Sequence, residues 1–136
     1  MEKKASELLG ESVLAGVTLE AGQAVNKMLG GVVGIAIAGV ESLKAAVPGD
    51  HKGLHYVGVG PTKVGFFSLK RGLFKPSINE LLVERPREEV AAVEIKKGAM
   101  RPVHFVFKDG TDYVLLCARI NTGKLKKVRA LLTGES

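Results

Sequence analysis

The chain has 136 residues, 46% of them hydrophobic, which allows one ordinary domain with an appendage and excludes a disordered chain. Aromatics make up 5% and Trp is absent, which argues against stacked bases or an aromatic cage and so against specific single-strand nucleic-acid binding. The net charge of +6 is divided unevenly: residues 1–50 hold four Lys and six acids, net −2, and residues 51–136 hold sixteen Lys or Arg and eight acids, net +8.

In chain order, Met1-Glu2-Lys3-Lys4 offers two basic residues, but Glu7 and Glu11 interrupt the apolar stretch that follows, a poor match to a secretory signal. Residues 1–47 contain no Pro and read as helical. The longest uncharged apolar run, residues 28–40, is thirteen residues between Lys27 and Glu41. A spanning helix needs about twenty. The expectation is a soluble, cytoplasmic chain.

Within this part Gly22, Asn26, Gly30, Gly34, Ala38, Ser42 and Ala46 place a small residue at every fourth position. On a helix such positions stack into a shallow groove, here surrounded by Met28, Leu29, Val32, Val33, Ile35, Ile37, Val40 and Leu43. Each interior Gly costs a helix about 1 kcal/mol relative to Ala, so the segment needs a partner. Close packing against a second copy, making a homo-oligomer, is the first expectation. The other seats are residues 6–20 folded back, the chain's own β-domain, or a membrane surface.

Pro48-Gly49-Asp50-His51-Lys52-Gly53 is a run of breakers and polar residues, which divides the chain into a glycine-rich apolar helical segment, 1–49, and a second domain, 50–136. Beyond it the period changes to that of strands. Residues 54–59 and 63–69 read as two strands joined at Gly60-Pro61-Thr62, followed by a loop with Gly72 and Pro76. Residues 78–85 make a third strand, stopped by Pro86, and 90–96 a fourth. In the fifth, 102–108, Val103, Phe105 and Phe107 alternate with His104 and Val106. Asp109-Gly110 signals a hairpin into the sixth, 111–118. Asn121 or Thr122 can cap a final helix with Leu125, Val128, Leu131 and Leu132 on one face and Lys124, Lys126, Lys127 and Arg129 on the rest. Short antiparallel strands closed by one amphipathic helix predict an α+β fold, a strongly bent sheet or barrel whose open end the helix plugs.

Four stretches, LHYVGVGPTKVGFFSLKRG, LLVERPREEVAAVEI, VHFVFKDGTDYVLL and KLKKVRALL, resemble the bacterial PH-like (pleckstrin-homology-like) domains over residues 54–132. Those domains show a strand pair with a "yvgvT" turn, a "pr-e-v--v-v" strand, an "l-f-DG" hairpin and a closing helix. Where they commonly carry Asp or Arg after the Thr of the first turn, this chain has Lys63. The glycine-rich segment lies outside the resemblance. The resemblance implies a module for binding or oligomerisation. The spaced basic residues of its phosphoinositide-binding members are not met in residues 54–59, where only His55 is even weakly basic, so no lipid-binding residue is carried over.

No reactive constellation emerges. His51 and His55 are four apart, but straddle the breakers and a strand start, and His104 lies far away, so no metal is expected. Gly58-Val59-Gly60 lacks the third Gly and following helix of a dinucleotide fingerprint, and Gly30-Gly31-Val32-Val33-Gly34 lacks the Lys-Ser/Thr of a phosphate loop. Cys117, the single cysteine, excludes an intramolecular disulfide, fits a reducing compartment and reads as a small buried hydrophobe. The six serines include no nucleophile elbow, and Glu88-Glu89 point apart in any regular structure. The expectation is a non-enzymatic protein without cofactor or catalytic residue.

The basic residues remain. Lys70, Arg71 and Lys75 crowd one loop, Lys96, Lys97 and Arg101 another, and together they can form an anion-attracting rim. A solvated basic surface carries the same composition. Two functions follow: a self-associating adaptor that presents its PH-like domain to a protein partner, or a peripheral module on anionic membrane lipids.

Overall fold

The computed structural model describes residues 1–21, 53–98 and 100–134. Helix α1 (Glu2–Leu9) comes first, then strand β1 (Ala15–Ala21). After residues 22–52 follow β2 (Gly53–Val59), β3 (Lys63–Lys70), β4 (Ser77–Pro86), a 3-10 turn (Arg87–Glu89), β5 (Val90–Ile95), β6 (Met100–Phe107) and β7 (Asp112–Ala118). A second 3-10 turn (Arg119–Asn121) leads into helix α2 (Thr122–Thr133). The strands form one antiparallel seven-stranded sheet in the order β4-β3-β2-β1-β7-β6-β5. The α+β expectation therefore holds, and the six expected strands and the closing helix stand within about two residues of their expected bounds.

One reading needs correction. Residues 15–21 are a strand, not part of a helix running to residue 47. Ala15, Val17 and Leu19 are buried, while Gly16, Thr18 and Glu20 alternate with them, the period of a strand with one face on a core. The absence of Pro permitted a helix without requiring one. β1 pairs with β2 along its whole length and with β7 through Glu20 opposite Leu116, so residues 15–21 fill the middle of the sheet. Residues 1–21 thus pack with the β-structure that the division near residue 50 separated from them. The glycine-rich stripe from Gly22 to Ala46 lies outside the described residues.

The sheet bends back on itself. Phe66 on β3 and Phe105 on β6 are four strands apart, about 19 Å if the sheet were flat. Their ring centroids lie 5.3 Å apart at 87°. Tyr113 and Phe107 meet the same ring, at 5.1 and 6.3 Å. Around these four rings pack Val17, Leu19, Val57, Val59, Val64, Val93, Val103 and Leu115, and α2 adds Leu125, Val128 and Leu132. Helix α2 thus covers the hollow side and reaches from β1 across to β5. Its N-cap is Asn121, whose side chain makes no cap hydrogen bond but whose amide donates to the Thr18 carbonyl at 3.1 Å.

The outer side of the same strands carries a second core. Ala5 and Leu9 of α1 pack on Tyr56, Phe67 and Ile78, so β2 and β3 are buried on both faces. Glycines lie side by side in these strands, Gly16 opposite Gly58 and Gly58 opposite Gly65. A Cβ at Gly65 would lie 2.9 Å from both Leu9 Cδ1 and Phe67 Cε1, and one at Gly16 would lie 1.9 Å from Tyr56 Oη. The Gly-x-Gly run at 58–60 therefore makes room for neighbours, not for a nucleotide. Burial, with Glu2 adding to it, pushes the Tyr56 phenol up to about 12.

Candidate functional site

With α1 on the outer face of β2–β4 and α2 on the inner face, the loops at the sheet's ends offer the open surface. The most distinctive joins β3 to β4. β3 ends at Lys70, and Arg71, Gly72, Leu73, Phe74, Lys75 and Pro76 follow before Ser77 begins β4. The turn is tight, since a Cβ on Gly72 would lie 2.5 Å from the Lys75 carbonyl oxygen. Leu73 is 94% and Phe74 97% exposed, so neither packs on its own domain. Lys70, Arg71 and Lys75 are exposed beside them, and among the described residues none of the three takes part in an ion pair. Between this loop and the starts of β2 and β4 lies a shallow depression of about 310 Å³, lined by Glu20, Gly53, Leu54, Leu69, Lys70, Arg71 and Pro76.

The second basic group is placed differently. Lys96 and Lys97 are exposed in the β5–β6 connection, with Lys96 Nζ 3.1 Å from Glu94 Oε1. Arg101 is half-buried opposite Cys117 in the β6–β7 register, and its Nε is buried. Glu20 and Leu54 also line a small cavity with Met100, Leu116 and Asn121, so the start of β6 flanks the same end of β1 and β2 as the β3–β4 loop. Of the six basic candidates, Lys70, Arg71 and Lys75 form one compact, solvent-facing group. Lys96 and Lys97 belong to another loop, and Arg101 runs toward the interior.

The remaining candidates serve structure. Cys117 is fully buried, and burial raises its thiol pKa against the lowering effect of Arg101. His55 is buried in β2 with Nδ1 3.3 Å from the Gly53 carbonyl oxygen. His104 Nδ1 lies 2.9 Å from Asp112 Oδ2, tying β6 to β7. His51 lies outside the described residues. Among the described residues no three His, Cys, Asp or Glu groups converge as metal ligands, and no helix is long and apolar enough to cross a membrane.

Two arginines hold the bent sheet in shape, and the sequence read the segment containing them only as a strand stop. Arg85 lies at the end of β4, one of the two outermost strands, with its guanidinium 4.1 Å above the Phe107 ring of β6. Its Nε and Nη2 donate to Glu89 Oε1 at 3.1 and 2.9 Å, and Nη2 donates to Asp109 Oδ2 at 2.7 Å. A planar fork over an aromatic face needs arginine specifically. Arg87 donates to the carbonyls of Gly60, Pro61 and Leu131, joining the β2–β3 turn to the end of α2. Glu89 is thus an arginine partner. The missed signal was the pair of arginines around Pro86, which marks a clasp only once Asp109 and Leu131 are known to be neighbours.

Acid pH should loosen two of these fastenings. Asp109 accepts from the Thr111 backbone N–H at 2.9 Å, and that bond first, then the Thr111 hydroxyl and Arg85, holds its carboxyl down to about 2. Glu11 accepts from the Thr62 hydroxyl at 2.6 Å and from the backbone N–H groups of Thr62 and Lys63. The hydroxyl bond is the largest cause of its lowered pKa. Depressed folded-state pKa values make both contributions complete above the ordinary carboxylate range. They fade as pH falls through it, Asp109's disappearing near about 2. The melting temperature is expected to drop between about pH 4.5 and 2, over the range where ordinary carboxylates protonate. Asp109→Asn should flatten that drop, and an unchanged slope would assign the acid sensitivity elsewhere.

No protein-family model, curated protein or solved structure matches this chain.

Proposed function

We propose that the chain is a non-enzymatic binding module with a PH-like fold, an adaptor that self-associates through its glycine-rich segment and meets its partner at the loop end of the sheet. The PH-like reading is supported by a four-stranded and a three-stranded meander joined through β1 and β7, bent around one core and closed by α2. Fold alone does not assign function. The observation that carries the proposal is the β3–β4 loop: three cations outside any described ion pair and two nearly fully exposed apolar side chains on one tight turn. Such a tip is costly to leave in water and takes no part in the packing of the described residues.

Self-association rests on the sequence from Gly22 to Ala46. Light scattering of the full chain after size exclusion is expected to give a mass above that of one chain. Gly30→Leu with Gly34→Leu, which fills the stripe, is expected to shift the mass toward a single chain. A wild-type mass of one chain at micromolar concentration removes self-association from the proposal.

A further inference from the structure

We infer that the β3–β4 loop docks on an anionic lipid bilayer, with Leu73 and Phe74 entering the boundary between headgroups and acyl chains and Lys70, Arg71 and Lys75 contacting the headgroups. The inference rests on the reading of the loop end as the binding end and names its partner class.

Three observations favour a bilayer over a protein. Among the described residues, the exposed apolar surface at this end is Leu73 and Phe74, adjacent on a projecting turn, with Ile120 just after β7, while Met1, Leu8 and Leu14 lie in or beside α1 and its link to β1. A stable protein interface covers about 800 Å² on each partner, far more than these three side chains supply. Shallow insertion asks only for a small apolar wedge with cations around it. Second, the cations flank the wedge on both sides within the sequence Lys70-Arg71-Gly72-Leu73-Phe74-Lys75. Inserted Leu and Phe would bring all three to headgroup depth at once, and each cation near an anionic surface strengthens attachment about fivefold.

Third, the described residues at this end carry little negative charge. The pairings Ala21 opposite Gly53 and Lys70 opposite Ser77 place the points where residues 22–52 leave and re-enter the sheet at the same end as the loop. Among the described residues, Glu20 is the one acid lining the depression beside the loop. The surface is therefore basic and apolar together, whereas attachment by charge alone would need no Leu-Phe tip.

The test is co-sedimentation of the full chain with vesicles of phosphatidylcholine alone or with about 30% phosphatidylserine, at about 0.1 and 0.5 M salt. Amide exchange is followed with and without the vesicles. Leu73 and Phe74 are solvent-facing, so Leu73→Ser with Phe74→Ser should leave the melting temperature unchanged, and that measurement accompanies the binding. The wild type is expected to sediment with the anionic vesicles at low salt and little with the neutral ones. The double variant should bind about tenfold more weakly, and Lys70→Gln with Lys75→Gln about 25-fold more weakly. Slowed exchange should centre on residues 70–76. No sedimentation of the wild type at low salt, the result a protein partner for this loop would give, overturns the bilayer and leaves the loop-end reading in place. Sedimentation that both variants leave unchanged, with slowed exchange elsewhere, overturns the loop assignment and the reading beneath it.

Discussion

Phe66→Ala is expected to destabilise the protein by about 3–5 kcal/mol, measured by urea denaturation, the usual range for truncating a fully packed Phe. A domain of this size is stable by about 5–15 kcal/mol, so the variant should be severely weakened. Phe66 is fully buried and touches rings from three other positions, Phe105, Phe107 and Tyr113. A small residue there leaves a void that the surrounding strands, held by their pairing, can only partly close. The variant also tests the bend itself. In a flat sheet Phe66 and Phe105 would be too far apart to interact. Folded back, they should show a coupling of about 0.5–1.5 kcal/mol in a double-mutant cycle with Phe105→Leu. Strictly additive effects would contradict the packing across the hollow.

Gly65→Val should cost about 2–3 kcal/mol and act through α1. The new Cβ would fall within 2.9 Å of Leu9 Cδ1 and Phe67 Cε1, and those two side chains are almost completely buried. Phe67 is held by its own strand and by Tyr56, whose ring centroid lies 6.1 Å away. The eight-residue helix α1 is the weaker neighbour, because a helix of that length has little stability apart from its packing. The expected result is faster amide exchange in α1 with the β2–β3 pairing largely intact. Leu9→Ala, which removes the clashing methyl group, should recover part of the loss when combined with Gly65→Val. A larger penalty in the combined variant would show that the clash lies with Phe67. Losing α1 would also release Glu11 from Thr62 and Lys63, because the short link from α1 to β1 carries it. Helix α1 and the Thr62 turn are thus expected to loosen together.

The proposed functional surface was half legible. Lys70, Arg71 and Lys75 were expected to crowd one loop, and they do so as exposed residues. Leu73 and Phe74 between them were not singled out, because an apolar pair in a sequence is usually core. Only the turn at Gly72 shows that it faces outward. Arg101 went the other way: its charge suggested the rim, but its register opposite Cys117 carries it inward.

The sequence by itself determined β2 to β7 and α2. Strand alternation, Pro and Gly breakers and the Asp109-Gly110 turn are chemistry between residues near one another along the chain, legible wherever they occur. Gly110 indeed adopts φ 93°, with Asp109 accepting from the Thr111 N–H. Only the tertiary structure decided that β1 stands in the middle of the sheet, that Gly65 makes room for Leu9 of α1 and Gly16 for Tyr56, and that Arg85 and Arg87 clasp distant parts. The physical reason is separation. Those contacts join residues tens of positions apart, and no local periodicity records which strand will lie beside which once a sheet folds over its own core.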